Sequence, residues 1–157
     1  MLLLGFLLSL AAGSGTDVVV PGYRPRAAPS RACTTALVTA PGFPKLKQTF
    51  SGRKILDLQF QSAAHRSVEG AHTLHFRVFT PRGHLYQDIS VRFSVEPRGG
   101  TTRASAGAPR RSPISARLPV AGTSITNSSL YGKWRVVPYL DDSMKPCAAA
   151  TTFKIKP

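Results

Sequence analysis

Apolar side chains recur at every second position along two neighbouring stretches, His72 to Thr80 and Leu85 to Glu96, around the turn Pro81-Arg82-Gly83-His84. That period belongs to a strand with one buried face and excludes an amphipathic helix, whose apolar residues return every three or four. Leu74, Phe76 and Val78 share one face of the first stretch; Ile89, Val91, Phe93 and Val95 share one face of the second. In an antiparallel hairpin the two sets meet only if paired positions add to an odd number. A sum of 165 pairs Leu74 with Val91 and Phe76 with Ile89 inside. Outside, it sets Arg77 against Asp88 and Phe79 against Tyr86, both favourable cross-strand neighbours.

The same alternation recurs along most of the chain. It predicts strands near 33–39, 54–61, 72–80, 85–96, 114–120, 132–140 and 148–155, bounded by Pro, Gly, Ser and Asn clusters. Seven short strands point to an all-β chain, a β-sandwich of about seven antiparallel strands. Pro138 makes its strand an edge or a bulged one, because proline has no N–H for the ladder. Asp141-Asp142 reads as a turn after Leu140. Between the fourth and fifth strands, 97–113 holds Arg98, Arg103, Arg110 and Arg111 among Gly, Ala, Ser and Thr with no acid. A connection that long is a functional loop or a disordered one.

The N-terminal segment 1–15 is a Leu-rich apolar run ending in Ala11, Ala12, Gly13, Ser14 and Gly15, the pattern of a signal peptide, although Lys and Arg are missing ahead of it. A buried helix is the competing reading; the Pro/Arg-rich lead-in 16–32 argues against a continuing packed element. No apolar run reaches the ~18 residues of a membrane span. Export to a secreted or periplasmic location follows. In an exported chain the only two cysteines, Cys33 and Cys147, are expected to form one disulfide; two separate thiols are the alternative. The domain then runs over 33–157, its ends tied together.

Two stretches carry a family likeness. Gly70 through Tyr86 is a strand that ends in a Pro-x-Gly turn and re-enters; Leu118 through Thr123, Gly132 through Val136, Leu140-Asp141-Asp142 and Phe153-Lys154-Ile155 follow as a closing hairpin. Together they resemble a bacterial immunoglobulin-like or macroglobulin-type β-sandwich domain over about 33–157. The antibody-type Cys…Trp…Cys spacing is missing, since Trp134 falls near the second cysteine. The resemblance implies adhesion, scaffolding or accessory binding, with no catalytic residues to carry over.

The residues themselves offer little for catalysis. No nucleophile elbow occurs, and only 7 Asp and Glu stand against 21 Lys and Arg. Of the four histidines, His72 and His75 differ in parity and face opposite sides of one strand, and His65 and His84 complete no ligand spacing. Neither enzyme, metal nor cofactor is expected. The net charge of +14 is the strongest signal, since a positive field attracts polyanions of any detailed structure. The arginine-rich composition also admits a reading as compositional drift. Arg98, Arg103, Arg110, Arg111 and Arg117 form the densest candidate group for an anionic envelope component. Nucleic acid is disfavoured, because no aromatic stacking residues are interleaved with them. Phe79 and Tyr86, expected on the outer face of the hairpin, are candidate anchors for a protein partner. The sequence therefore predicts a non-catalytic binding or structural module, with polyanion binding through 97–113 as the alternative.

Overall fold

The strands divide into two sheets. β1 (Leu37–Thr39), β3 (Asp57–Ser62) and β6 (Ile114–Pro119) make a three-stranded sheet in the order β1-β3-β6. β2 (Thr49–Ser51), β4 (Gly70–Phe79), β5 (Leu85–Val95), β7 (Gly132–Leu140) and β8 (Thr151–Lys156) make a five-stranded sheet in the order β2-β8-β7-β4-β5. All pairings are antiparallel except the parallel contact of β2 with β8. A single helical turn, α1 (Ser124–Asn127), lies between β6 and β7, with Thr123 as its N-cap and Ile125 buried beneath it. The computed structural model describes residues 30–42, 48–65, 67–95 and 112–157. The expected signal segment, most of the lead-in and nearly all of 97–113 lie outside them.

Alternation explains why the two sheets stack. Leu58 and Phe60 on β3 and Leu118 on β6 turn inward, as do Leu74, Phe76 and Val78 on β4, Trp134 and Val136 on β7, and Phe153 and Ile155 on β8; each is 2% exposed or less. Phe60 spans the gap between the sheets, with its ring centroid 6.0 Å from Phe76 and 5.9 Å from Phe153. Phe153 stacks on Trp134 at 6.4 Å, and Tyr86 meets the indole edge-on at 5.2 Å. The indole N–H donates to the Leu130 carbonyl at 3.0 Å, so this buried donor is satisfied.

The β4–β5 hairpin has the register the sequence predicts, from Gly70 opposite Val95 to Val78 opposite Gln87. It then departs from it. Phe79 faces Leu85 where Tyr86 was expected, because Tyr86 is the extra residue of a bulge. The bulge returns Tyr86 to the core side, so Phe79 and Tyr86 do not share the outer face.

Further differences follow from packing. Among the described residues there are eight strands, β2 being the addition, and Leu56, within the span expected as a strand near 54–61, is 81% exposed ahead of β3 while Ile55 is buried. β7 is neither an edge nor bulged at Pro138; it runs between β8 and β4. Pro138 lies opposite Phe76 on β4, and its carbonyl accepts the Cys147 N–H at 2.9 Å. In a strand the nitrogen and carbonyl of one residue point to the same side. The proline nitrogen therefore faces the 146–148 segment, where β8 has not yet begun, and β4 loses no bond.

Cys33 and Cys147 form the disulfide, with Cα atoms 5.3 Å apart and a sequence separation of 114. Cys33 pairs with Ala64 beyond the end of β3, whereas Cys147 lies beside the end of β7. The bridge thus fastens the small sheet to the large one, reinforced by the Ser30 N–H on the Pro146 carbonyl at 2.9 Å.

Candidate functional site

Among the described residues, Arg117, Phe79 and Tyr86 do not come together. Arg98, Arg103, Arg110 and Arg111 lie outside the described residues. Arg117 is on β6, on the opposite sheet from the hairpin, with Nη1 3.8 Å from Asp57 across the strand pair. Phe79 is 4% exposed and sits with Val137 and Tyr139 in a small apolar cluster, the guanidinium of Arg135 over its ring at 4.8 Å. Tyr86 packs on Trp134, and its hydroxyl bonds the Ser124 hydroxyl at 2.9 Å. Both aromatics are committed to internal contacts, so neither stands out as an anchor.

The histidines sit in separate pairs. His72 Nδ1 meets Asp141 Oδ2 at 2.8 Å, and its Nε2 meets the Glu69 carbonyl at 2.9 Å. On the opposite face of β4, His75 Nδ1 meets Asp88 Oδ1 at 3.1 Å, and Arg77 Nε donates to Asp88 Oδ2 at 3.1 Å. The Asp141 hydrogen bond, helped by the Glu69 carbonyl, raises the His72 pKa above the ordinary histidine value. Partial burial pushes Asp141 up, but the Thr73 N–H and His72 outweigh it and hold its pKa below the usual carboxylate range. Among the described residues no group of three or more His, Cys, Asp or Glu is placed to hold a metal ion.

What the fold does assemble is a basic end on the five-stranded sheet, at the start of β7. The inward Trp134, Phe153 and Ile155 force Lys133, Lys154 and Lys156 onto the outer face. The register then sets Lys133 directly opposite Lys154, a like-charge pair, with Lys156 two residues further along β8. β2 lies parallel to β8 with Ser51 beside Lys156, and the chain turns there through Gly52, bringing Arg53 and Lys54 to the same end. The close approach of Pro81 to Gly132, 2.9 Å from where a Cβ would stand, puts the β4–β5 turn and Arg82 there too. Glu69, Asp141 and Asp142 lie at the far end of the sheet, while Asp57, near the basic end, belongs to the other sheet and to Arg117.

Beside this end a cleft of about 340 Å³ opens along β2, lined by Thr49, Phe50, Ser51, Lys54, Ile55 and Lys156 together with Pro157. It pairs two ammonium groups with two hydroxyls over an apolar floor of Phe50 and Ile55. Such a lining suits an anionic, hydroxyl-rich group, and no Asp or Glu side chain is part of it. Sequence reasoning missed this site because its cations come from segments far apart in the chain. The alternation of Lys154 and Lys156 around Ile155 was the one local sign of it.

No family model matches the chain, and no curated protein does. Among solved structures, a protein of Bacteroides fragilis described as a candidate beta-galactosidase is similar at 14% identity and a TM-score of 0.37, over 78% of this chain and 16% of that one. A likeness of that size carries no argument about activity. The fold defines a disulfide-closed β-sandwich domain in which no helix among the described residues is long and apolar enough to cross a membrane.

Proposed function

We propose that this chain is an exported, non-catalytic binding module of immunoglobulin-like type, and that its ligand is an acidic saccharide polymer of the cell envelope, gripped at the basic end of the five-stranded sheet. The observation that carries this reading is the cross-strand opposition of Lys133 and Lys154, extended by Lys156 and Lys54. Like charges set opposite one another weaken a sheet. An anionic group lying across them turns that repulsion into attraction, and the adjoining cleft supplies hydroxyls for a sugar ring. The two-sheet architecture and the bridge between Cys33 and Cys147 support the immunoglobulin-like and exported parts of the reading.

Retention on immobilised heparin, an acidic saccharide, tests it. Lys133→Gln/Lys154→Gln/Lys156→Gln should elute at clearly lower salt than the parent, whereas Lys145→Gln at the far end should elute with it. A Lys145→Gln shift one-third that of the triple variant, the same per charge removed, would mean that only net charge matters, and no shift in the triple variant would reject the site.

A further inference from the structure

β5 is an edge strand: it pairs with β4 on one side, and among the described residues no strand is hydrogen-bonded to its other side, although β6 of the small sheet packs near it. Which of its residues present main-chain groups to that open side follows from Asp141. Its N–H donates to the Thr73 carbonyl at 2.8 Å, and its Oδ1 accepts the Thr73 N–H at 2.9 Å, so Thr73 turns its main chain toward β7. Main-chain groups alternate sides along a strand, so His75 and Arg77 also address β7, while Leu74 and Phe76 address β5. The β5 residues opposite Thr73, His75 and Arg77 are Arg92, Ser90 and Asp88. Their N–H and C=O groups therefore point out of the sheet along its free edge.

We propose that this edge joins the same edge of a second copy of the chain, antiparallel, about a two-fold axis through Ser90. The sequence of β5 is self-complementary about that residue. The axis sets Asp88 opposite Arg92 of the partner subunit and, by symmetry, Arg92 opposite Asp88 of the partner subunit. Ile89 then meets Val91 of the partner subunit on the core side, extending the apolar layer that both residues already pack against. An axis through Asp88 or Arg92 would set like charges face to face, and one through Ile89 or Val91 would leave both charges without an opposite. Each of the three edge pairs exchanges two main-chain hydrogen bonds. Arg77 and His75 hold the Asp88 carboxylate in place on the outer face. Edge strands that stay single are guarded by lysine, proline or a bulge. Between 87 and 95 this one has neither lysine nor proline, and its bulge at Tyr86 lies beyond the stretch that pairs.

Sedimentation equilibrium on the full chain tests the proposal. The parent should be dimeric at about 50 µM, and Arg92→Asp, which replaces two attractive pairs by two repulsive ones, should weaken association about tenfold or more. Asp88→Arg/Arg92→Asp restores opposite charges at both pairs and should recover the dimer. Ser90→Pro, which removes a donor only from the open edge, should yield a monomer with the parent's far-ultraviolet circular dichroism. A parent that stays monomeric at that concentration, or Arg92→Asp associating as tightly as the parent, would overturn the proposal. So would a dimer that forms only once 97–111 is deleted, which would place the chain's own loop on the edge.

Discussion

Removing the disulfide should cost this domain much of its stability. The bridge closes a loop of 114 positions, and Cys33 and Cys147 are 7% and 1% exposed. In the chain-entropy model, a cross-link of that span removes about 16 cal/mol/K from the unfolded chain, or about 5 kcal/mol at room temperature. Cys33→Ala/Cys147→Ala is the appropriate variant, since serine would bury two hydroxyls. The Cys33 N–H on the Cys147 carbonyl and the Ser30 N–H on the Pro146 carbonyl remain available to hold the native contact. The loss therefore falls on the unfolded state, which becomes more expanded. In urea, the midpoint should drop by an amount equivalent to about 3–5 kcal/mol, while the slope m rises as more surface is exposed on unfolding. A loss under about 1 kcal/mol with m unchanged would refute the reasoning, because it would mean that the bridge restricts little in the unfolded chain.

Other perturbations probe other parts of the structure. Phe60→Ala empties the space between the sheets against Phe76 and Phe153 and should lower the unfolding free energy by about 3–5 kcal/mol in denaturant titration. Gly132 has φ +139° and its Cβ position lies 2.9 Å from the Pro81 ring, so Gly132→Ala should cost about 1–3 kcal/mol, read as a lowered thermal midpoint. His72, whose pKa is raised, stabilises the fold below the ordinary histidine pKa, and that contribution fades as pH climbs through the raised value. Asp141, whose pKa is lowered, contributes above the ordinary carboxylate pKa and loses its effect as pH falls through the lowered one. The pair is therefore strongest between about pH 4 and pH 6.5, and the stability difference between parent and His72→Gln should shrink on going to about pH 8. A difference that stays constant over that range would show that the pair does not titrate with folding.

Much of the large sheet was legible because alternation and turn chemistry agree there: Pro81-Arg82-Gly83-His84 closes the hairpin, and paired positions add to 165 over most of it. The bulge at Tyr86 was not, since an extra residue leaves no mark on composition and an aromatic suits either face. β2 has one apolar residue, Phe50, in three, too short to show a period. Val137 and Tyr139 blur the pattern of β7, whose second half is buried on both faces because its outer side there carries the Phe79 cluster. The cysteine pairing followed from their number and expected compartment. The candidate site was the least legible part: charge density along the chain drew attention to 97–113, whereas density in space depends on the β7–β8 register and on β2 joining β8 in parallel.

The claim that an acidic saccharide binds at the basic end is tested most directly by amide chemical-shift mapping during titration with a short heparin oligosaccharide. The account predicts the largest changes at Ser51, Lys54, Lys133, Lys154 and Lys156, with Glu69 and Asp141 at the far end unmoved. Changes spread evenly over the surface, or centred away from the β2–β8–β7 end, would contradict it.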